Sequence, residues 1–160
     1  ENMESVFDNK TLRMSILATP EHVNFNGVMH GGDLLKMLDG VAYACATRYC
    51  GIGVVTLSVD RVLFKSPIKI GNLIHFLASI NYTGTTSVEV GIRVVAEDIA
   101  KRTLTHCNSS YFTMVALDSN GKPTKVPPLT PETEEEKRRF EAGRLRREAS
   151  KAKQRNKQLQ

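Results

Sequence analysis

The residues with the widest chemical repertoire fall in one short stretch, His30-Gly31-Gly32 followed by Asp39. Two adjacent glycines let a ligand approach the backbone closely, and the N–H groups that open a helix can stabilise an oxyanion. A carboxylate nearby can then act as general base or nucleophile. With residues set about 100° apart around a helix, Asp39 falls at the flank of an apolar stripe, near Leu35, Ala42 and Ala46. Lys36 and Thr47 occupy the polar side instead. On residues alone, two readings stand. Asp39 is either a partly desolvated catalytic carboxylate or a boundary carboxylate at the solvent edge, and the glycine pair either an oxyanion site or a plain turn.

Other chemistries lack their residues. There is no Gly-x-Ser-x-Gly elbow, P-loop, dinucleotide fingerprint or His-Glu-x-x-His motif. His22, His30, His75 and His106 show no metal-ligand spacing, so no metal site is expected. Three cysteines, Cys45, Cys50 and Cys107, form no Cys-x-x-Cys pair, which favours a reducing, cytosolic compartment. Cys45 is expected in the core and Cys50 at a helix end.

The elements that must position these groups are legible from periodicity. Leu34, Leu35, Leu38, Val41, Ala42, Cys45, Ala46 and Tyr49 predict a helix from Asp33 to about Tyr49, with Asp33 as its N-cap and Gly51 and Gly53 beyond its end. Before it, Val23 to Gly27 reads as an extended piece ending in a turn. After it come strands: Val54 to Lys65, Leu73 to Tyr82, Thr86 to Glu97, and about Thr103 to Leu117 with a hairpin signal at Asn120-Gly121. On the first of these, Thr56, Ser58 and Asp60 are expected on one face. One long helix followed by antiparallel strands predicts an α+β domain, the sheet wrapped around the helix.

The chain carries a net charge of +5, with 22 Lys or Arg against 17 Asp or Glu. From Thr130 onward there are 10 basic and 6 acidic residues, leaving 12 against 11 for the remainder, so the basic character belongs to the tail. Its mixture of signs argues against nucleic acid as a partner, since a phosphate-binding stripe should be nearly free of carboxylates. No apolar run is long enough for a membrane helix. Three segments are expected. These are a lead over 1–14, whose native start is expected at Met3 or a nearby position, a domain over 15–129, and a solvated charged helix over 130–160, fraying after about Ala149.

Several ordered motifs together resemble the hotdog-fold acyl-CoA thioesterases related to brain acyl-CoA hydrolase. They are Asn24-Phe25-Asn26-Gly27-Val28-Met29-His30-Gly31-Gly32 with Leu34-Leu35 and Asp39, then Val55 to Asp60, Phe64 to Ile68, Gly84 to Glu89, Tyr111 to Ala116, and Val126-Pro127-Pro128-Leu129. The resemblance implies hydrolysis of fatty acyl-CoA to fatty acid and coenzyme A, with no cofactor. It implies catalytic residues at Asn24 and Asp39, given to one site by different subunits of a dimer, and hexamers made of three dimers. His30, Gly31, Gly32 and Thr56 are then expected around the substrate, and Lys65, Gly84, Thr85, Thr86 and Ser87 near coenzyme A. Lys65, Arg61 and Arg93 each have a solvated strand face as the simpler reading. Two positions depart from the pattern. Asn72 stands where relatives often carry Asp, and Thr85 where some have Arg. Two alternatives remain: an acyl-thioester dehydratase using His30 and Asp39, and a non-catalytic acyl-CoA or nucleotide binder.

Overall fold

In the computed structural model, which describes residues 8–160, the helical stripe becomes the buried face of α1 (Gly31–Cys50). Leu34, Leu38, Val41, Ala42, Cys45, Ala46 and Tyr49 are buried, whereas Leu35, expected among them, is 39% exposed. Gly51 closes the helix with φ +71°, donating its N–H to the Thr47 carbonyl, a conformation that a side chain disfavours. The helix starts earlier than expected. His30 is the N-cap and provides no side-chain hydrogen bond, while Asp33 stands in the first turn, where the helix dipole still favours its charge.

Five antiparallel strands curve around α1: β1 (Thr11–Leu17), β2 (Val54–Phe64), β3 (Leu73–Thr83), β4 (Ser87–Asp98) and β5 (Thr103–Ala116). Their spatial order is β1-β3-β4-β5-β2. Period-two alternation turns Ile74, Phe76, Val90, Val94, Phe112 and Met114 into one core with the helix stripe. Each such side chain, fully buried, contributes about 1.5–3 kcal/mol of transfer free energy.

Strand β1 lies mostly inside the stretch read as a lead. Only Leu12 of its seven residues is buried, so it carries almost no alternation to read, yet it pairs in full register with β3 from Thr11↔Ser79 to Leu17↔Leu73. Residues 1–7 lie outside the described part of the chain. At the other end, Asn120-Gly121 does turn the chain, but onto a single bridge between Leu117 and Pro123 rather than a further strand. Val126 to Leu129 runs as the expected extended exit. Its Val126 N–H donates to the Thr85 carbonyl, and the Pro127 carbonyl accepts from the Tyr49 hydroxyl.

The tail departs most from expectation. It forms α2 (Glu134–Gln158), continuous well past Ala149, capped by the Thr133 hydroxyl accepting from the Glu136 N–H. Rather than projecting into solvent throughout, α2 lies against the sheet face opposite α1. Arg146 donates two hydrogen bonds to the buried Glu89 carboxylate, at 3.0 and 2.7 Å, and stacks 3.6 Å above the Tyr111 ring. Phe140 meets Tyr82 edge-on, and the α-carbon of Gly143 sits so close that a β-carbon would stand 2.8 Å from Tyr82 Cβ. This second cover explains why both faces of β4 are buried from Ser87 to Ile92.

Candidate active site

Three elements carry the expected catalytic groups. The first is a loop in front of α1. Val23 and Met29 form a bridge, the Asn24 N–H donates to the Val28 carbonyl, and Gly27 takes φ +75° at the tip. Asn24 fixes this turn with its own side chain, since its Oδ1 accepts from the Asn26 N–H at 2.8 Å and, more weakly, from Val28. Those bonds orient the amide and leave Nδ2, a donor, as the group Asn24 can present to a ligand.

The second element is the start of α1. Because the first turn of a helix has unpaired N–H groups and the His30 side chain caps none of them, Gly31 and Gly32 offer donors with no side chain of their own. The Asn24 turn is tied to this end through the His30 N–H, which donates to the His22 carbonyl. Phe64, at the end of β2, closes over the same place, since a β-carbon on Gly31 would meet its ring at 3.3 Å. Lys65 joins Phe64, His30 and Gly31 around one cleft of ≈ 310 Å³.

The third element is the middle of α1 facing β2. Thr56 Oγ1 donates to Asp39 Oδ1 at 2.6 Å. A bulge between Thr56 and Ser58 makes this possible and overturns the expected common face. Thr56 pairs with the core residue Met114, whereas Ser58 pairs with Thr113 and Asp60 with Tyr111, both on the α2 side. Asp39 is exposed in the single chain rather than desolvated.

These elements do not converge within one chain. Gly31 and Asp39 are eight residues apart on one helix, about 12 Å along its axis. One thioester carbonyl cannot reach both, and His30 and Asp39 of one chain cannot work as an acid–base pair. The expected coenzyme A contacts are separated too. Lys65 follows the Phe64 end of β2, whereas the Gly84-Thr85-Thr86-Ser87 turn sits at the Val54 end, its Thr86 carbonyl accepting from Ala116 N–H. Eleven strand residues span about 35 Å between those ends. Asn72, the departure near Lys69, keeps the acceptor role an aspartate would have, its Oδ1 accepting the Lys69 N–H at 2.9 Å. Arg93 is exposed; the Arg61 side chain lies outside the described part.

The cysteines stay out of the chemistry. Burial pushes the Cys45 thiol up to about 12 and raises Cys50 and Cys107 as well. Thiolate is therefore scarce at neutral pH. Treatment with a maleimide at pH 7 should leave activity unchanged, with Cys45 and Cys107 unlabelled by mass spectrometry. Among the described residues, no three His, Cys, Asp or Glu side chains cluster so as to hold a metal, and no helix is long and apolar enough to cross a membrane.

A curved antiparallel sheet wrapped around one long helix, with a glycine turn at the helix start and a carboxylate midway along it, is the hotdog thioesterase arrangement. Residues 26–103 match the thioesterase superfamily. Protein VdlD of Helicobacter pylori is 60% identical over 141 residues, covering 88% of this chain and 80% of that one. The acyl-CoA hydrolase of Staphylococcus aureus, solved with butyryl-coenzyme A and coenzyme A, superimposes with a TM-score of 0.86 at 33% identity, covering 93% of this chain and 91% of that one. A hexameric acyl-CoA thioesterase gives a TM-score of 0.86 at 36% identity, over 89% and 92%. The chain belongs to the acyl-CoA thioester hydrolases of the thioesterase superfamily.

Proposed function

We propose that this chain hydrolyses fatty acyl-CoA to free fatty acid and coenzyme A in sites shared between two protomers. The separation of Gly31 from Asp39 carries this reading. Asn24, Gly31 and Gly32 travel together at one end of α1, while Asp39 and Thr56 form a second unit about two helical turns away. An antiparallel approach of two copies about a two-fold axis supplies each unit with its complement. The exposed edge strand β2, with Val55, Leu57, Val59 and Leu63 each at least 40% exposed, supports such pairing. The hexameric relative supports a trimer of such dimers. A cytosolic location rests on the unpaired cysteines.

In the shared site the thioester oxygen lies against the Gly31 and Gly32 N–H groups, with Asn24 Nδ2 donating to that oxygen or to the attacking water. The carboxylate of the partner's Asp39 removes a proton from the water as its oxygen bonds to the carbonyl carbon. Collapse then breaks the C–S bond and coenzyme A leaves as thiolate, which needs no strong acid because a thiol has a pKa of only about 8.5. Thr56 holds one oxygen of Asp39 and leaves the other free to take the proton. In this arrangement Lys65 of one chain and the Gly84–Ser87 turn beside the partner's Thr56 flank the same site, as coenzyme A contacts from both would require. The Staphylococcus aureus hydrolase has been solved with single alanine replacements of an asparagine, an aspartate and a threonine. These stand in the order and at the spacing of Asn24, Asp39 and Thr56, which supports the same three positions here.

The test is thiol release across saturated acyl-CoA substrates from acetyl to palmitoyl. Turnover is expected, and its absence throughout the series defeats the reading; a dehydratase would release no thiol. Thr56→Val should lower kcat between about 10- and 100-fold with little change in KM, since it loosens the carboxylate without touching the substrate. Single turnover in H₂¹⁸O should place the label in the fatty acid and none in Asp39.

A further inference from the structure

The cleft beside the glycine turn has a chemistry of its own. Its apolar walls come from Val28, Met29, Leu34, Phe64, Pro67 and Ile68, and Gly31, His30, Lys65 and Ser66 complete the lining. It opens next to the N–H groups proposed to hold the thioester oxygen, so whatever is attached to that carbonyl must pass close to Phe64. A thioester carbonyl has two substituents. The sulfur side leads to pantetheine, whose amides need hydrogen-bonding partners, and the other side is the bare alkyl chain. Six apolar side chains against three polar ones suit the alkyl chain better, since amides held against the apolar walls would lose their hydrogen bonds to water.

We infer that this cleft receives the acyl chain and that Phe64 sets the chain length it accepts. The inference rests on the glycine turn being the oxyanion site. Phe64 is suited to the role because it is the one large wall not locked in the core. Phe64 is 55% exposed, and its ring bears on Gly31 from the end of β2, where the chain has just passed a second register shift between Asp60 and Leu63. The cleft measures ≈ 310 Å³. That space admits an alkyl chain of limited length. Longer chains must displace the Phe64 ring or run out into solvent.

The experiment measures kcat/KM of the assembled enzyme for acyl-CoA substrates from four to sixteen carbons, for the wild type, Phe64→Ala and Phe64→Trp. Phe64→Ala should shift the optimum to longer chains and raise the sixteen-to-eight-carbon ratio on the order of tenfold; Phe64→Trp should shift it to shorter ones. Inhibition by free coenzyme A should be unchanged in both. Thermal midpoint and gel-filtration size accompany each variant, and if one variant fails to assemble, the direction of shift in the other decides. A uniform change at every chain length, or a matching change in coenzyme A inhibition, overturns the inference by assigning the cleft to pantetheine. Absence of hydrolysis in the wild type instead defeats the proposed function itself.

Discussion

Asp39→Ala and Asn24→Ala should each lower kcat/KM for acyl-CoA by about 10³-fold or more, since one removes the base and the other a donor aimed at the reacting atoms. The informative result comes from combining them. Suppose the two inactive proteins are unfolded together and reassembled from equal amounts. A dimer containing one chain of each then has one site built from an intact Asn24 and an intact Asp39, and one site lacking both. Random pairing makes half of the dimers mixed, so about a quarter of wild-type activity should return. No recovery, with mixed dimers confirmed by mass spectrometry, would mean that each site is built within one chain. The distance along α1 argues the other way, because a rigid helix keeps Gly31 and Asp39 about 12 Å apart.

The second large effect concerns stability and comes from the tail. Glu89→Ala should destabilise the protein by about 2–4 kcal/mol, because it leaves the Arg146 guanidinium among packed side chains without its counter-charge. The Glu89 and Arg146 side chains are only 8% and 18% exposed, so solvent can screen little of the loss. For Arg146, burial disfavours the charge, but the hydrogen bonds and charge of Glu89 outweigh it and hold its pKa above the ordinary arginine value. The thermal midpoint should fall by about 2–4 °C per kcal/mol, and α2 should become the first site of proteolysis. Glu89→Leu combined with Arg146→Met should recover most of the loss, since an apolar pair of similar volume leaves no unpaired charge. If Glu89→Ala leaves both the thermal midpoint and the protease pattern unchanged, α2 is held by something other than this pair.

Much of the frame was legible beforehand because periodicity reports burial on a single face. The stripe from Leu34 to Tyr49 and the alternation from Ile74 to Ala96 each mark one side facing a common core. Where few side chains were buried, or the contacts were made by polar ones, the signal failed. β1 is held by backbone pairing along a sheet edge and shows almost no pattern. α2 meets the sheet through Phe140, Gly143 and Arg146, and an arginine stacked on Tyr111 looks in sequence like any solvated arginine. The bulge at Leu57, which separates Thr56 from Ser58 and Asp60, follows from how β2 meets β5 and leaves no mark on β2 itself.

The candidate site divides in the same way. By itself the sequence determined that a helix follows the His30-Gly31-Gly32 turn and that Asp39 lies at the edge of its apolar stripe. Both are local facts, set by residue type and by helical repeat. Only the tertiary structure decided that Thr56 holds Asp39, that Asn24 spends its Oδ1 within its own turn, and that the glycine turn and the carboxylate of one chain lie too far apart to meet at one thioester carbonyl. Those depend on a bulge, a turn and the rise of a helix in space, and such distances between groups are fixed only when the elements pack.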